Sequence, residues 1–217
     1  MAQRVLRVLF IGNSYTFYHE MPKLVQSLAQ GQIPMECEYS ARGGVDLRLH
    51  WRKMKSRKRV EEGDWNHVVV QERSSDPLHS GLKFYWYGLR FVRAAHRIGA
   101  KPLLFQTWPR KAGHELYQSA WSGENPERML EKISSAYQKL AAMSDASVIP
   151  VGEKWWKVLQ HFPGIELYDE DGHHASLAGA YLTACTFAQA FGVDLKQTDF
   201  VPKDLNPELA RCLRDSV

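Results

Sequence analysis

Ser14 stands in Phe10-Ile11-Gly12-Asn13-Ser14-Tyr15-Thr16, directly after an apolar run. A hydroxyl at a strand-to-helix turn can point out of a sheet while nearby backbone N–H groups face a developing oxyanion, which is where a serine nucleophile belongs. Alone, a Gly-x-Ser also reads as a helix cap. The Gly-x-Ser-x-Gly elbow is not formed, because Thr16 stands in place of its second glycine. A second segment supplies what such a serine would need. Tyr168-Asp169-Glu170-Asp171-Gly172-His173-His174-Ala175-Ser176 carries an Asp and a His three residues apart. A serine requires a base within hydrogen-bond reach, and the base requires a carboxylate to hold its tautomer. Asp171 and His174 can provide both from one loop, although the same residues also read as loop polars with Ser176 as a cap. Adjacent histidines diverge on most backbones and no third ligand is suitably spaced, so no metal is expected from His173 and His174.

The elements that must position these groups alternate. Strands are expected at Val5–Ile11, Met35–Ala41, His67–Gln71, Pro102–Thr107 and Ser147–Val151. Helices are expected at Met21–Gln30, Val45 to about Arg59, Phe84–Ile98 closed by Gly99, and from an Asn125 cap with Pro126 at its first turn to about Met143. A final apolar helix, Ala175–Phe191, ends at Gly192. About five alternations argue for an α/β/α sandwich of three layers around a five-stranded, mostly parallel sheet, forming one domain over residues 1–217. Such sheets carry their chemistry at the C-terminal strand ends. Ser14 follows the first strand, and Asp171 and His174 precede the last helix.

With both segments in view, the chain resembles the SGNH (GDSL-like) hydrolase superfamily over nearly its whole length. Ile11-Gly12-Asn13-Ser14-Tyr15-Thr16 looks like its first block, with Asn13 in place of the commoner Asp. Asp171-Gly172-His173-His174-Ala175-Ser176 looks like its last block. The resemblance implies a flavodoxin-like fold, Ser14 as nucleophile, His174 as general base and Asp171 as the acid that orients it. It also implies an oxyanion hole formed by the Ser14 N–H, a glycine after the second strand and a side-chain amide after the third. Gly44 is favoured over Gly43 for the second donor. The family's third block has an Asn that is missing from Val70-Gln71-Glu72-Arg73-Ser74-Ser75-Asp76. Gln71 carries the same carboxamide on a longer arm, while gapless alignment would select Ser75. The activity implied is hydrolysis of a carboxylic ester through an acyl-enzyme, without a cofactor. The alternatives are acyl transfer by the same triad and an inactive binding protein of this fold.

Composition narrows the class further. With 217 residues, 44% of them hydrophobic and 24% charged, the chain can bury a core without disulfide or metal staples. Cys37, Cys185 and Cys212 form neither a disulfide framework nor a zinc or redox pair, which fits a reducing, cytoplasmic setting. The first residues lack a cleavage-site pattern, and no apolar run reaches the length of a membrane span. The net charge of +4 comes from one stretch, residues 48–59, where seven Lys or Arg occur without an acid. A solvated helix face is the expected reading, and no nucleic-acid partner is expected. For the substrate, Trp108 after the fourth strand is placed to stack on a sugar from the cleft rim, with Asn13 and Ser75 as further contacts. The long 109–124 connection is placed to shape the pocket. These features lean toward an acylated carbohydrate or another small ester, with the oligomeric state open.

Overall fold

The structure, a computed structural model, describes residues 4–217. Five strands form one sheet: β1 (Leu6–Gly12), β2 (Met35–Ala41), β3 (His67–Val70), β4 (Lys101–Gln106) and β5 (Ser147–Pro150). Their order is β2-β1-β3-β4-β5 and every pairing is parallel. The central strands read as continuous apolar runs because both faces are covered, and the period of two then divides the core in half. Val8, Phe10, Val69, Leu103 and Phe105 face one layer. Leu9, Ile11, Val68, Val70 and Leu104 face the other.

The first layer holds α2 (Met21–Leu28), α8 (Val151–His161), α9 (Leu177–Ala190) and α10 (Pro207–Asp215). The second holds α3 (Leu47–Arg52), α4 (Ser56–Glu62), α6 (Gly81–Arg97) and α7 (Pro126–Ala142). Two one-turn helices, α1 (Ser14–Phe17) and α5 (Asp76–His79), sit at strand ends. The expected three-layer α/β/α architecture is therefore present, with an entirely parallel sheet. Among the described residues, no helix is long and apolar enough to cross a membrane.

Three expectations need correction. The basic segment is two helices, α3 and α4, separated at Lys53–Lys55, because His50 and Ser56 turn inward and hydrogen-bond each other at 2.7 Å. The apolar helix near the C-terminus is α9, and it is followed by α10, whose Asn206 cap accepts the N–H groups of Glu208 and Leu209. Helix α8 starts immediately after β5, where no helix was expected. Its buried Val151, Trp155 and Val158 follow helical spacing.

Candidate active site

Parallel pairing brings the C-terminal ends of β1, β2, β3 and β4 to one edge, and the expected site residues collect there. β1 ends at Gly12, where no side chain fits. A Cβ would lie 2.3 Å from both the Gln71 Oε1 and the Thr16 Oγ1. Asn13 caps α1 by accepting the Tyr15 N–H at 3.2 Å, which puts Ser14 at the first helical position. Behind this turn lies His50, fully buried. The Gly12 carbonyl can only accept, so the His50 Nε2–H donates to it at 2.7 Å and Nδ1 accepts the Ser56 hydroxyl. Burial pushes the pKa of this imidazole down, which keeps it in that neutral form.

The Asp171–His174 loop approaches from the other side. It is fastened by an antiparallel bridge between Tyr168 and Ala175 and by the Asp169 N–H bonded to the His174 carbonyl at 2.9 Å. Ser176 caps α9. Asp171 Oδ1 accepts the backbone N–H groups of His173 and His174, each at 2.9 Å, and Oδ2 lies 2.5 Å from His174 Nδ1. Burial raises the pKa of this carboxyl, but the two N–H groups and the His174 ring outweigh it and hold Asp171 well below the usual carboxylate range. An ionised carboxylate accepts only. In the neutral ring Nδ1–H therefore donates to Asp171, and Nε2 is left to accept the Ser14 hydroxyl at 2.7 Å. Tyr18 stacks on the His174 ring with centroids 4.2 Å apart. The next two residues, His19 and Glu20, both adopt left-handed backbone at φ 49° and 52°. Two consecutive non-glycine residues in that region carry strain at the wall of the cleft.

Asp171, His173 and His174 each bring a possible ligand atom within 4.8 Å of the others. Both nitrogens of His174 are already engaged, by Asp171 and Ser14. His173 turns its Nδ1 toward the Tyr15 hydroxyl. Burial first, then the charges of Arg110 and His174, push its pKa down to about 4.

Ser14, Tyr18, Gly43, Gly44, Ser74 and Arg110 are among the residues lining a cleft of about 310 Å³. Both expected glycines are present, and Gly44 needs its lack of a side chain because its φ is +68°. Among the described residues, neither the Ser14 nor the Gly44 N–H has a protein acceptor. Three expected side chains do not reach the cleft. The Gln71 carboxamide is spent internally: Oε1 accepts the Asn13 N–H at 2.9 Å and the Thr16 hydroxyl at 3.0 Å, and Nε2 donates to the Glu72 carbonyl. Ser75 faces His79, and Arg73 and Ser74 are the residues that line the cleft from this strand end. Trp108 is 1% exposed, sandwiched between Tyr15 at 4.5 Å and Trp155 at 3.9 Å, with its Nε1–H on the His173 carbonyl. It supports the catalytic-side loop from beneath. Asn13 lines the cleft but uses its side chain for the α1 cap and for the Val45 carbonyl.

One residue was not anticipated, and a second was expected only as part of the pocket-shaping 109–124 connection. Glu72 is fully buried behind the cleft, and its Oε1 accepts the N–H groups of Leu47 and Arg73, tying the start of α3 to the end of β3. Its other oxygen has no partner, and burial pushes its pKa up to about 8. The 109–124 connection does shape the pocket, through Arg110. The connection is pinned to the site loop by the Lys111 N–H on the Gly172 carbonyl at 2.9 Å, and the Tyr117 hydroxyl donates to the Arg110 carbonyl.

No family profile and no curated protein sequence matches the chain. Solved structures do. A candidate SGNH hydrolase from Slackia heliotrinireducens is 29% identical, with 87% of this chain and 100% of that chain covered at a TM-score of 0.75. A DUF4886 family protein from Bacteroides uniformis is 20% identical, over 98% of this chain and 93% of that one, at a TM-score of 0.76. An acetylxylan esterase from Geobacillus stearothermophilus, 13% identical over 88% of this chain and 95% of its own, shares the fold at a TM-score of 0.65. With the parallel five-stranded sheet and a neighbour matched over its full length, the chain has the fold of the SGNH (GDSL-like) hydrolases and is similar to them.

Proposed function

We propose that the protein is a serine esterase that hydrolyses a small carboxylic ester through an acyl-enzyme. The observation that carries this reading is the continuous relay from Ser14 Oγ to His174 Nε2 at 2.7 Å and from His174 Nδ1 to Asp171 at 2.5 Å. His174 takes the Ser14 proton as Oγ attacks the ester carbonyl, then returns it to the departing alcohol. Water, deprotonated by the same nitrogen, releases the acid and restores Ser14. Asp171 fixes the tautomer and stabilises the imidazolium formed in each step. The unengaged N–H groups of Ser14 and Gly44 are the donors for the oxyanion. Gln71 is left out of that set because its Nε2 turns to the Glu72 carbonyl and its side chain does not line the cleft.

The size of the cleft suits a short acyl group, and the likeness to acetylxylan esterases agrees with an acylated sugar as the alcohol side. A fluorophosphonate is expected to label Ser14, and Ser14→Ala is expected to lose p-nitrophenyl acetate turnover by about 10³-fold or more. Full turnover in that variant would overturn the reading.

A further inference from the structure

Arg110 is a guanidinium without a counter-ion at the wall of the cleft. It is 8% exposed, and it lines the same 310 Å³ space as Ser14. One terminal nitrogen donates to the Tyr15 hydroxyl and the other to Ser74 Oγ at 3.0 Å, while its Nε–H is buried without an acceptor. Other cations near the site are paired, Arg73 with Asp76 at 2.7 Å and Lys111 with Glu166. Arg110 has no carboxylate within ion-pair distance among the described residues; Asp171, the nearest acid of the site, is committed to His173 and His174.

A guanidinium stays charged and offers five N–H donors, of which two are used here. Burying such a charge beside neutral partners is unfavourable unless an anion completes its shell. The neighbouring histidines bring no charge of their own. His173, between Arg110 and Asp171, is held neutral by burial and by Arg110, and His114 is shifted in the same direction by the same two causes.

We infer that Arg110 is a specificity residue, and that the ester this site accepts carries a negative charge, of the carboxylate kind, within a few bonds of the scissile carbonyl. The inference rests on the esterase reading for the chemistry and on the Arg110 environment for the charge. A carboxylate matches the planar fork of arginine, and the small cleft keeps any group that touches Arg110 close to Ser14. Ser74 and Tyr15 act as positioning residues that hold the fork toward the cleft.

The test compares matched esters that differ in charge. One pair varies the acyl side, mono-p-nitrophenyl succinate against p-nitrophenyl acetate. The other varies the alcohol side, an O-acetylated uronic acid against an O-acetylated neutral hexose. The anionic member of one pair is expected to be preferred by about 10- to 100-fold in kcat/KM, the range of a charge-assisted hydrogen bond, and to lose that advantage with added salt. Arg110→Gln should erase most of the preference and Arg110→Lys should keep part of it. A thermal shift of the unaltered protein by succinate but not by succinamide reads the same site without turnover, should the Gln variant fail to fold. Equal use of both members of both pairs, a preference that survives in Arg110→Gln, or equal shifts by succinate and succinamide would overturn the inference. A kcat loss in Arg110→Gln that is the same for charged and neutral esters would assign Arg110 to the oxyanion instead, and would also overturn it. Failure of the fluorophosphonate to label Ser14 would strike the esterase reading, while the succinate shift would still decide the anion site.

Discussion

Asp171→Asn separates the two tasks of one side chain. Oδ1 holds the loop through two N–H groups and Oδ2 holds the His174 ring. An amide can accept on one side only. If its oxygen keeps the loop, its NH₂ faces Nδ1 and forces the other tautomer, with a proton on Nε2 where the Ser14 hydroxyl must be accepted. Turnover is therefore expected to fall by about 10²–10⁴ while the protein stays folded, as checked by p-nitrophenyl acetate kinetics and by thermal melting of the same sample. Ser14, Asp171 and His174 were legible in the sequence because each lies in a short block that also sets its own backbone geometry. Arg110 was not, since its two side-chain partners, Tyr15 and Ser74, lie far from it in the chain and meet it only after folding. Gln71 was misread for a related reason. Its type suits an oxyanion donor, but Gly12 opens space directly against the carboxamide, and the Asn13 N–H and Thr16 hydroxyl occupy its oxygen.

The joint between β3 and α3 has its own pH dependence. Folded Glu72 keeps its proton up to about 8, whereas the carboxyl in the unfolded chain releases its proton near 4.5. Between those values the folded state binds more protons than the unfolded one, so this group makes the protein progressively less stable as pH rises from about 4.5 to about 8. Glutamine has the same shape and can accept the Leu47 and Arg73 N–H groups without that proton. Glu72→Gln is accordingly expected to melt close to the parent at pH 5 and clearly above it at pH 8, by a few kcal/mol in unfolding free energy; denaturant titrations at the two pH values measure the difference. A gap that shrinks toward pH 8 would refute the assignment. At this scale, elements with an explicit start signal were readable, such as α7 behind Asn125-Pro126. The same Asn-Pro pair at Asn206-Pro207 opens α10, so the sequence carries an equal start signal for that element. The division of the basic stretch was not available: it depends on His50 finding the Gly12 carbonyl across the layer boundary.

Across the molecule, the alternation of strands and helices was sufficient to anticipate the layers, because a parallel sheet must be covered on both faces. What it could not convey is how charge is shared between them. The basic stretch meets acids from neighbouring turns and strands, Arg57 with Glu61 at 2.8 Å and Arg59 with Glu38 at 2.6 Å, so its surface is far less cationic than its sequence. The seven tryptophans divide in the same way. Trp86 is exposed, while Trp108 and Trp155 lie parallel in the layer beneath the cleft, their planes 3° apart, with Tyr15 continuing the pile to the cleft wall. Two indoles held face to face at 3.9 Å couple their strong far-ultraviolet transitions, so the protein should display a split circular dichroism band in the far ultraviolet. Trp155→Phe is expected to abolish the split band and, by leaving the Thr183 hydroxyl without its indole donor, to cost about 1–2 kcal/mol in a melt. An unsplit band in the parent would contradict the stack. Since Tyr15 joins that pile to the residues around Ser14, an acid seated in the cleft is expected to perturb the same signal, an optical gauge of occupancy that a titration with succinate reads.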